Sequence, residues 1–314
     1  MLIADLRQIH SRALQPLFHE EAEHWRNELY WDYRASQQLI RKFIDSRSLA
    51  GYVAYEDKHP AGYGFYVFEE QKGLIGGLFA SPKFDQIDIS KKLLLRMLED
   101  LRDTPFIERI EAQLMPFGTA FDDLLAQQGF RLRRRQFMLA DLPVRAALRP
   151  QMRDGLRLQP WSDKFMELCA RLIQHAYNDH VDSEINDQYR TEIGATKFLR
   201  NIVLLPGCGQ FCPEASFIVR AATSEPPIGM VLTSTVAPGV GHTTQICVLP
   251  GYQKNGLGRR LMESSLAALQ NRGYSALTLT VTATNQNAVQ LYENLGFRTI
   301  KSFAAGVWEP KRST

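Results

Sequence analysis

The sequence has no apolar run approaching the roughly 20 residues that a membrane-spanning helix needs. Its first residues also lack the apolar segment of a secretory signal, because Asp5, Arg7 and His10 place polar groups there. These absences argue against a membrane protein and against export. We therefore expect a cytoplasmic protein with no membrane partner.

Cysteine and surplus charge are scarce as well. The chain has 4 cysteines, and the one close pair, Cys208 and Cys212, has no second Cys or His pair beside it. A structural zinc site needs four ligands, so we predict no metal site. The net charge of +3 does not indicate nucleic-acid binding, and the densest basic run, Arg131 with Arg133–Arg135, is predicted to be a solvated strand end.

The most informative stretch lies between Gln245 and Leu261. It is predicted to start as a strand, to turn at Pro250-Gly251, and to continue as a helix whose leucines share one face. The connecting loop reads Gln-x-x-Gly-x-Gly. Glycines let a ligand approach the backbone, and the unpaired N–H groups of a helix's first turn attract phosphate. No Gly-Lys-Ser/Thr follows, so the loop is not a P-loop.

Further motifs follow in a fixed order. Ala276–Val281 is predicted to be a strand, and after it come Asn285-x-x-Ala288-x-x-Leu291-Tyr292 and Gly296-Phe297. With the glycine loop before them, these motifs resemble the GNAT acetyltransferase superfamily. The resemblance implies acetyl-CoA as co-substrate, with its pyrophosphate on the loop amides, its pantetheine arm along the preceding strand and its sulfur near Tyr292. The cofactor-binding residues implied in this way are Ile246, Val248, Gln253, Lys254, Asn255, Gly256, Leu257, Gly258, Arg259 and Asn285.

The chain also repeats itself internally. Pro60 and Pro227, Pro82 and Pro250, and the Gly-Phe pairs at 129 and 296 are separated by 167 or 168 residues. We therefore predict an α/β (α+β) protein of two tandem GNAT-like domains, each with a mixed, mostly antiparallel sheet flanked by helices. Residues 1–145 form a degenerate copy and residues 151–314 the catalytic copy, with a linker at 143–150. The repeat places Asp85–Ser90, which has no glycine, where the second copy has its loop.

Two local expectations accompany this organisation. The first forty residues are predicted to be helical, because apolar residues from Leu6 to Leu17 recur at helical spacing. Gly273 is predicted to end the helix that follows the glycine loop in a left-handed conformation.

Acetyl transfer to an amine needs a neutral amine, a polarised thioester carbonyl and a proton for the leaving thiolate. The resemblance assigns the acid role to Tyr292. The base is open: the family often has a carboxylate before the loop, but Thr244 and Gln245 stand there. Strand alternation would put His242 on the face of Thr244, and His242 is our candidate base. Other candidates are water and the polar residues His175, Tyr177, Asp179, His180, Asp182 and Glu184.

The leading hypothesis is an N-acetyltransferase that moves an acetyl group from acetyl-CoA to a primary amine of a small molecule or peptide. The alternative from another class is a non-catalytic acyl-CoA-binding regulatory module, which the missing carboxylate favours and Tyr292 disfavours. A Rossmann-like nucleotide-binding domain would need an acidic residue after the strand that ends near Val281, and Thr282-Ala283-Thr284 supplies none. The sequence carries no signal for the oligomeric state, which is unknown at this point.

Overall fold

The computed structural model describes residues 1–144, 155–221 and 226–310. Contacts divide the chain into two units, one of residues 1–134 together with the chain end from Ser302, the other of residues 135–301. The predicted linker from residue 145 onward, and with it the predicted boundary between 145 and 151, lies outside the described residues.

The described residues form the following strands and helices. The strands are β1 (Leu2–Asp5), β2 (Ala50–Glu56), β3 (His59–Glu69), β4 (Lys72–Ala80), β5 (Arg109–Gln113), β6 (Arg131–Asp141), β7 (Leu156–Pro160), β8 (Gln210–Phe211), β9 (Phe217–Ala221), β10 (Pro227–Ala237), β11 (Val240–Val248), β12 (Ala276–Thr282) and β13 (Arg298–Trp308). The helices are α1 (Gln15–Leu29), α2 (Arg34–Asp45), α3 (Gln86–Asp103), α4 (Asp122–Gln127), α5 (Met166–Ala176), α6 (Asp182–Ile185), α7 (Glu192–Leu204), α8 (Leu257–Asn271) and α9 (Gln286–Glu293).

The first unit is built on the strand order β1-β2-β3-β4-β5. All neighbours are antiparallel except β4 and β5, and Ala305–Trp308 of β13 pairs antiparallel with β5. Apolar residues of α3 cover one face of this sheet, while those of α1 and α2 pack with Tyr63 and Phe65 on the other. The prediction of a helix throughout the first forty residues is wrong at its start, because Leu2–Asp5 pairs with β2 as an edge strand.

The second unit has the order β6-β12-β11-β10-β9-β7, and β8 pairs with β10. Here β11 and β12 run parallel, as predicted, and the other pairs are antiparallel. Helix α8 packs on one face with the core of Leu261, Leu266, Leu277 and Leu279. Helices α5 and α7 cover the opposite face through a separate core that contains Leu232 and Cys247. The predicted fold class of mixed, mostly antiparallel sheets flanked by helices is confirmed in both units.

The internal repeat is visible in the strand register of the two units. The parallel pairing ends at Ile75↔Ala112 in the first unit and at Thr243↔Leu279 in the second. A β-bulge follows in each, opposite the step Phe65/Tyr66 and opposite the step Leu232/Thr233. Ile75 and Thr243 are 168 residues apart, which is the spacing found in the sequence. Both copies therefore keep the strand distortion that opens one side of the sheet.

Candidate active site

The strands β11 and β12 separate beyond their last pair, Thr243↔Leu279. A cleft of about 720 Å³ opens there, lined by residues 243–248 of β11, by residues 279–281 of β12 and by the loop and helix start that follow β11. Helix α9 and the segment before α6 complete its walls. A concave, largely preformed cavity of this size suits a small-molecule ligand.

The bulge in β11 sets which side chains face which half of the cleft. Leu232 lies opposite Gln245 and Thr233 lies opposite Thr243, so Thr244 is the extra residue. Alternation therefore shifts by one, and Gln245 shares the α5 and α7 face with Cys247, whereas Val248 faces α8. This shift removes the alternation argument that placed His242 on the face of Thr244. The Thr244 hydroxyl instead donates to the Leu232 carbonyl oxygen at 3.2 Å.

The loop after β11 folds into a compact turn. Residues Pro250–Tyr252 form a short 3-10 helix, and the Gln253 side-chain amide donates to the Val248 carbonyl oxygen at 3.0 Å. Lys254 and Gly256 then take left-handed conformations, with φ of 60° and 77°. The glycine meets no steric cost in this conformation, and it lets helix α8 start abruptly at Leu257.

The start of α8 is open toward the cleft. No side chain caps it, and the first helical hydrogen bond found there runs from Arg260 N to Gly256 O at 3.1 Å. A Cβ added at Gly256 would meet no atom within 4 Å, and one at Gly258 would meet only Leu291 Cδ2 at 3.6 Å. The N–H groups of Leu257, Gly258 and Arg259 therefore remain available to an anion at the positive end of the helix.

Basic side chains surround this helix start. Lys254 and Arg259 line the cleft. The guanidiniums of Arg259 and Arg260 pair at 2.8 Å and 2.9 Å with Glu263, whose side chain is almost fully buried. The buried carboxylate fixes the direction of both arginines. Asn255 is exposed in the same loop and does not line the cleft.

The predicted residues of helix α9 also reach the cleft. Asn285 is the N-cap of α9: its Oδ1 accepts from the Ala288 backbone N–H at 3.3 Å, and its Nδ2 lies 3.4 Å from His180 Nε2. Tyr292 lines the cleft and is 6% exposed. Burial, and then the negative charge of Asp182, raise the pKa of Tyr292, so the phenol keeps its proton at neutral pH.

His242 lies apart from these residues. It is buried in the sheet, its Nδ1 is 2.8 Å from Thr278 Oγ1, and its ring stacks on Phe137 at 5.8 Å. Burial, and then the charge of Arg135, lower the pKa of His242 to about 3. The imidazole is therefore neutral, and it is not among the residues that line the cleft. Its role as general base stays a prediction.

A polar group forms the wall of the cleft on the α5 and α7 face. The Tyr177 hydroxyl donates to the Ile246 carbonyl oxygen at 3.2 Å, and its ring packs on Tyr189 and His180. The Thr282 hydroxyl donates to Asp182 Oδ1. The Asp182 backbone N–H donates to His180 Nδ1 at 3.1 Å, so that nitrogen already has a proton donor. Of the candidate bases in this segment, Tyr177, His180 and Asp182 line the main cleft, while Asp179 and Glu184 line a smaller neighbouring cavity.

Sequence reasoning missed Arg135, which lines the cleft. In the basic run, Arg131 and Arg134 are exposed as predicted for a solvated strand end, but Arg135 is partly buried. The reason is the pairing of β6 with β12, which sets Arg135 opposite Thr282. The one hint in the sequence was that Arg135 stands two residues before the apolar run that begins at Phe137.

The part of the chain that the structure describes contains no cluster of three or more metal-binding side chains, and none of its helices is both long and apolar enough to cross a membrane.

Comparison with known proteins finds a family match within the second unit. Residues 173–297 match the sequence model described as the Acetyltransferase (GNAT) family. The [Ribosomal protein bS18]-alanine N-acetyltransferase of Escherichia coli K12 is 50% identical over 52 residues, which are 17% of this chain and 35% of that relative. The match thus spans about a third of the relative's length.

Solved structures show the same fold over most of the chain. A GCN5-related N-acetyltransferase from Sphaerobacter thermophilus has a TM-score of 0.67 at 16% identity, covering 95% of this chain and 91% of the other. A tandem GNAT protein from the clavulanic acid biosynthesis pathway has a TM-score of 0.57 at 14% identity, covering 85% and 84%. Residues 173–297 are therefore similar in sequence to the GNAT acetyltransferase family, and the fold over most of the chain is that of GNAT structures. The N-terminal unit shares this fold, because the match to the Sphaerobacter structure covers 95% of the chain.

Proposed function

We propose that this protein is an N-acetyltransferase that uses acetyl-CoA to acetylate a primary amine of a small molecule or peptide. The observation that carries the proposal is the joining of three features in one cleft. These are the uncapped start of α8, the separated strands β11 and β12, and the buried, protonated Tyr292. A site for anion binding alone would need only the first of them.

The residues present fit the cofactor. The amides of Leu257, Gly258 and Arg259 would hold the pyrophosphate, with Lys254 and Arg259 adding positive charge and Gly256 keeping the approach open. Gln253 closes the turn on Val248 and so sets its position. The backbone of Ile246 and Val248 would pair with the pantetheine arm, and Asn285 would hold the start of α9 beside it. When bound, acetyl-CoA supplies the thioester whose acetyl group is transferred.

Tyr292 is proposed as the general acid. Its raised pKa keeps a proton on the phenol, so it can donate to a departing thiolate. For the base we propose the Asp182 carboxylate, acting directly or through water. Its Oδ1 is held by Thr282, while its Oδ2 is 3.9 Å from the nearest His180 nitrogen. His242 is the weaker candidate, because it is buried in the sheet and is not among the residues that line the cleft.

The alternative is a non-catalytic module that binds acyl-CoA. The neutral side chains of Thr244 and Gln245, where the family often has a carboxylate, favour it. A module of this kind has no use for a protonated phenol, so replacing Tyr292 by Phe distinguishes the two functions.

We also propose that the C-terminal half, predicted as residues 151–314, carries the cofactor site, and that the N-terminal half, predicted as 1–145, does not bind acetyl-CoA. In the first unit, Asp85 caps helix α3: its Oδ1 accepts from the Asp88 backbone N–H at 3.0 Å. The anion position at this helix start is thus taken by a carboxylate of the chain itself. A cytoplasmic location is proposed too, supported by four free cysteine thiols.

The test is a turnover assay that follows release of the free CoA thiol, with a panel of amino acids, peptides and polyamines as acceptors. We expect amine-dependent release and a mass increase of one acetyl group on the acceptor. Binding of acetyl-CoA without turnover on any amine would support the binding module instead.

A further inference from the structure

The part of the cleft on the α5 and α7 face, which we call the acceptor half, contains the cation Arg135 and the anion Asp182. Arg135 and Asp182 both line the cleft, and both are positioned by Thr282: Arg135 lies opposite it across the β6–β12 pairing, and Asp182 accepts its hydroxyl hydrogen bond. Met138 and Ala140 of β6 pack in the core beneath α8, whereas Phe137 stacks on His242 on the other face. Alternation along β6 therefore puts Arg135 on the face of α5 and α7, with Asp182.

A second polar side chain on this face has an unused donor. Gln245 is 5% exposed and lines the cleft, and its side-chain Nε2 has no hydrogen-bond partner among the described residues. The Arg135 Nε is likewise buried without such a partner. An unpaired buried donor costs free energy, so two of them in one cleft indicate a ligand that accepts hydrogen bonds.

The residue at position 245 strengthens the inference. A carboxylate on this strand would repel an anionic acceptor, whereas the Gln245 amide can donate to one. An arginine offers a planar pair of donors that matches a carboxylate. The neighbouring Asp182 has the opposite sign and suits an ammonium group.

We propose, as a refinement that rests on the proposed function, that the acceptor is an amine that also carries a carboxylate, such as a free amino acid or a short peptide with a free C-terminus. Arg135 and the Gln245 amide bind the carboxylate, and Asp182 faces the amine. On release of the amine's proton to the base, the nitrogen forms the new bond to the acetyl carbon, and the carbon–sulfur bond breaks to give free CoA. Arg135 is thus a specificity-determining residue.

The experiment compares matched acceptors that differ only in the carboxylate: amino acids and dipeptides against their carboxamides. The wild-type protein is expected to favour the carboxylate form by about 10-fold or more in kcat/KM. Arg135→Gln removes most of this preference by lowering kcat/KM for the carboxylate form alone. Gln245→Glu, which keeps the size of the side chain, has the same effect through repulsion, and Arg135→Lys restores part of the preference.

Two arginine controls make the result specific. Arg259→Gln, on the cofactor half of the cleft, lowers kcat/KM for both acceptor forms equally. Arg272→Gln, whose exposed side chain lies near Glu214, changes neither. Binding of each acceptor to the protein with CoA, measured by calorimetry, provides a second readout that needs no turnover.

The outcomes separate the two levels of the account. Equal kcat/KM and equal affinity for the two forms, or an unchanged preference in both Arg135→Gln and Gln245→Glu, overturns the acceptor proposal and leaves the acetyltransferase function in place. Absence of turnover on every acceptor contradicts the proposed function, and the calorimetric preference for carboxylates then still decides whether Arg135 binds them.

Discussion

Gln86 of the first unit and Gln253 of the second make equivalent hydrogen bonds to the end of the preceding strand. The Gln253 side chain donates to the Val248 carbonyl oxygen at 3.0 Å, and the Gln86 side chain donates to the Ala80 carbonyl oxygen at 2.8 Å. The chain leaves the strand in the same way in both units. Only the second unit then places a left-handed glycine, Gly256, before its helix, whereas the first unit starts its helix at once behind the Asp85 cap.

Tyr292→Phe tests the acid. The substitution removes the phenol oxygen and leaves the ring that packs on Phe297. We expect kcat to fall about 100-fold, because a positioned general acid contributes about this much, while the calorimetric affinity for acetyl-CoA stays the same. A variant with wild-type kcat would show that the thiolate leaves without this proton.

The identity of the base is tested by a pair of variants with opposite expectations. Asp182→Asn should lower kcat/KM about 100-fold, whereas His242→Asn should leave it nearly unchanged, because the neutral imidazole is buried away from the cleft. Asp179→Asn is the matched control: it removes a carboxylate from the same segment but outside the main cleft, and asparagine tolerates the left-handed conformation of that residue. If His242→Asn lowered kcat/KM more than Asp182→Asn did, His242 would be the better candidate for the base.

The cap of helix α3 can be tested by stability. Asp85→Ala leaves the Asp88 N–H without its acceptor, so we expect the free energy of unfolding to fall by about 1 kcal/mol. Urea denaturation measures this loss. The variant should bind acetyl-CoA with the stoichiometry of the wild type. A second acetyl-CoA site in the variant would show that the Asp85 cap alone had prevented binding at the start of α3.

A buried carboxyl in the first unit predicts a pH dependence. Glu21 is 2% exposed and accepts from the Tyr63 hydroxyl at 2.6 Å and from the Gln37 amide at 3.0 Å. Burial raises the pKa of Glu21 to about 7, so between its unfolded pKa of 4.5 and pH 7 the folded protein holds the extra proton. Stability from this group is complete below that window and is lost as the pH rises through it.

The measurement is the melting temperature from pH 5 to pH 8 for the wild type and Glu21→Gln. The lowered pKa of His242 acts in the opposite direction, since its stabilisation is lost as the pH falls through 6.5 toward 3. The difference between the two proteins isolates Glu21: the wild type should lose more stability than the variant as the pH rises. Parallel curves would mean that the carboxyl ionises at its ordinary pKa.

Local patterns predicted the backbone around the start of α8 well. The glycine loop, the helix from Leu257 and the left-handed Gly273, with a φ of 76°, all follow from neighbouring residues, so sequence spacing was sufficient. The internal repeat was also found from the sequence, but its alignment was off by one residue in the loop. It aligned Gln253 with Asp85, whereas in the structure Gln86 is the equivalent residue. The shift arises because α3 begins before α8 does in the repeat, which spacing alone does not reveal.

The side chains on the α5 and α7 face of the cleft were not predictable in the same way. The bulge at Thr244 changes the side-chain direction of every later residue in β11. No residue type at this position predicts a bulge. Arg135 enters the cleft only because β6 pairs with β12, a strand far along the chain. Long-range pairings and single-residue bulges decide these positions, and a periodic pattern in one sequence contains neither.

The most direct test of the account is a calorimetric titration of acetyl-CoA into the wild type, Gly256→Glu and Gly251→Glu. Gly251 lies in the same loop, and a Cβ there also meets no atom within 4 Å, so its variant controls for the added charge away from the helix start. We predict one site per chain, abolished by Gly256→Glu and kept by Gly251→Glu, with the fold of each variant checked by its melting curve. Two sites in the wild type, or one site that survives in a folded Gly256→Glu protein, would contradict the assignment of the cofactor to the α8 loop.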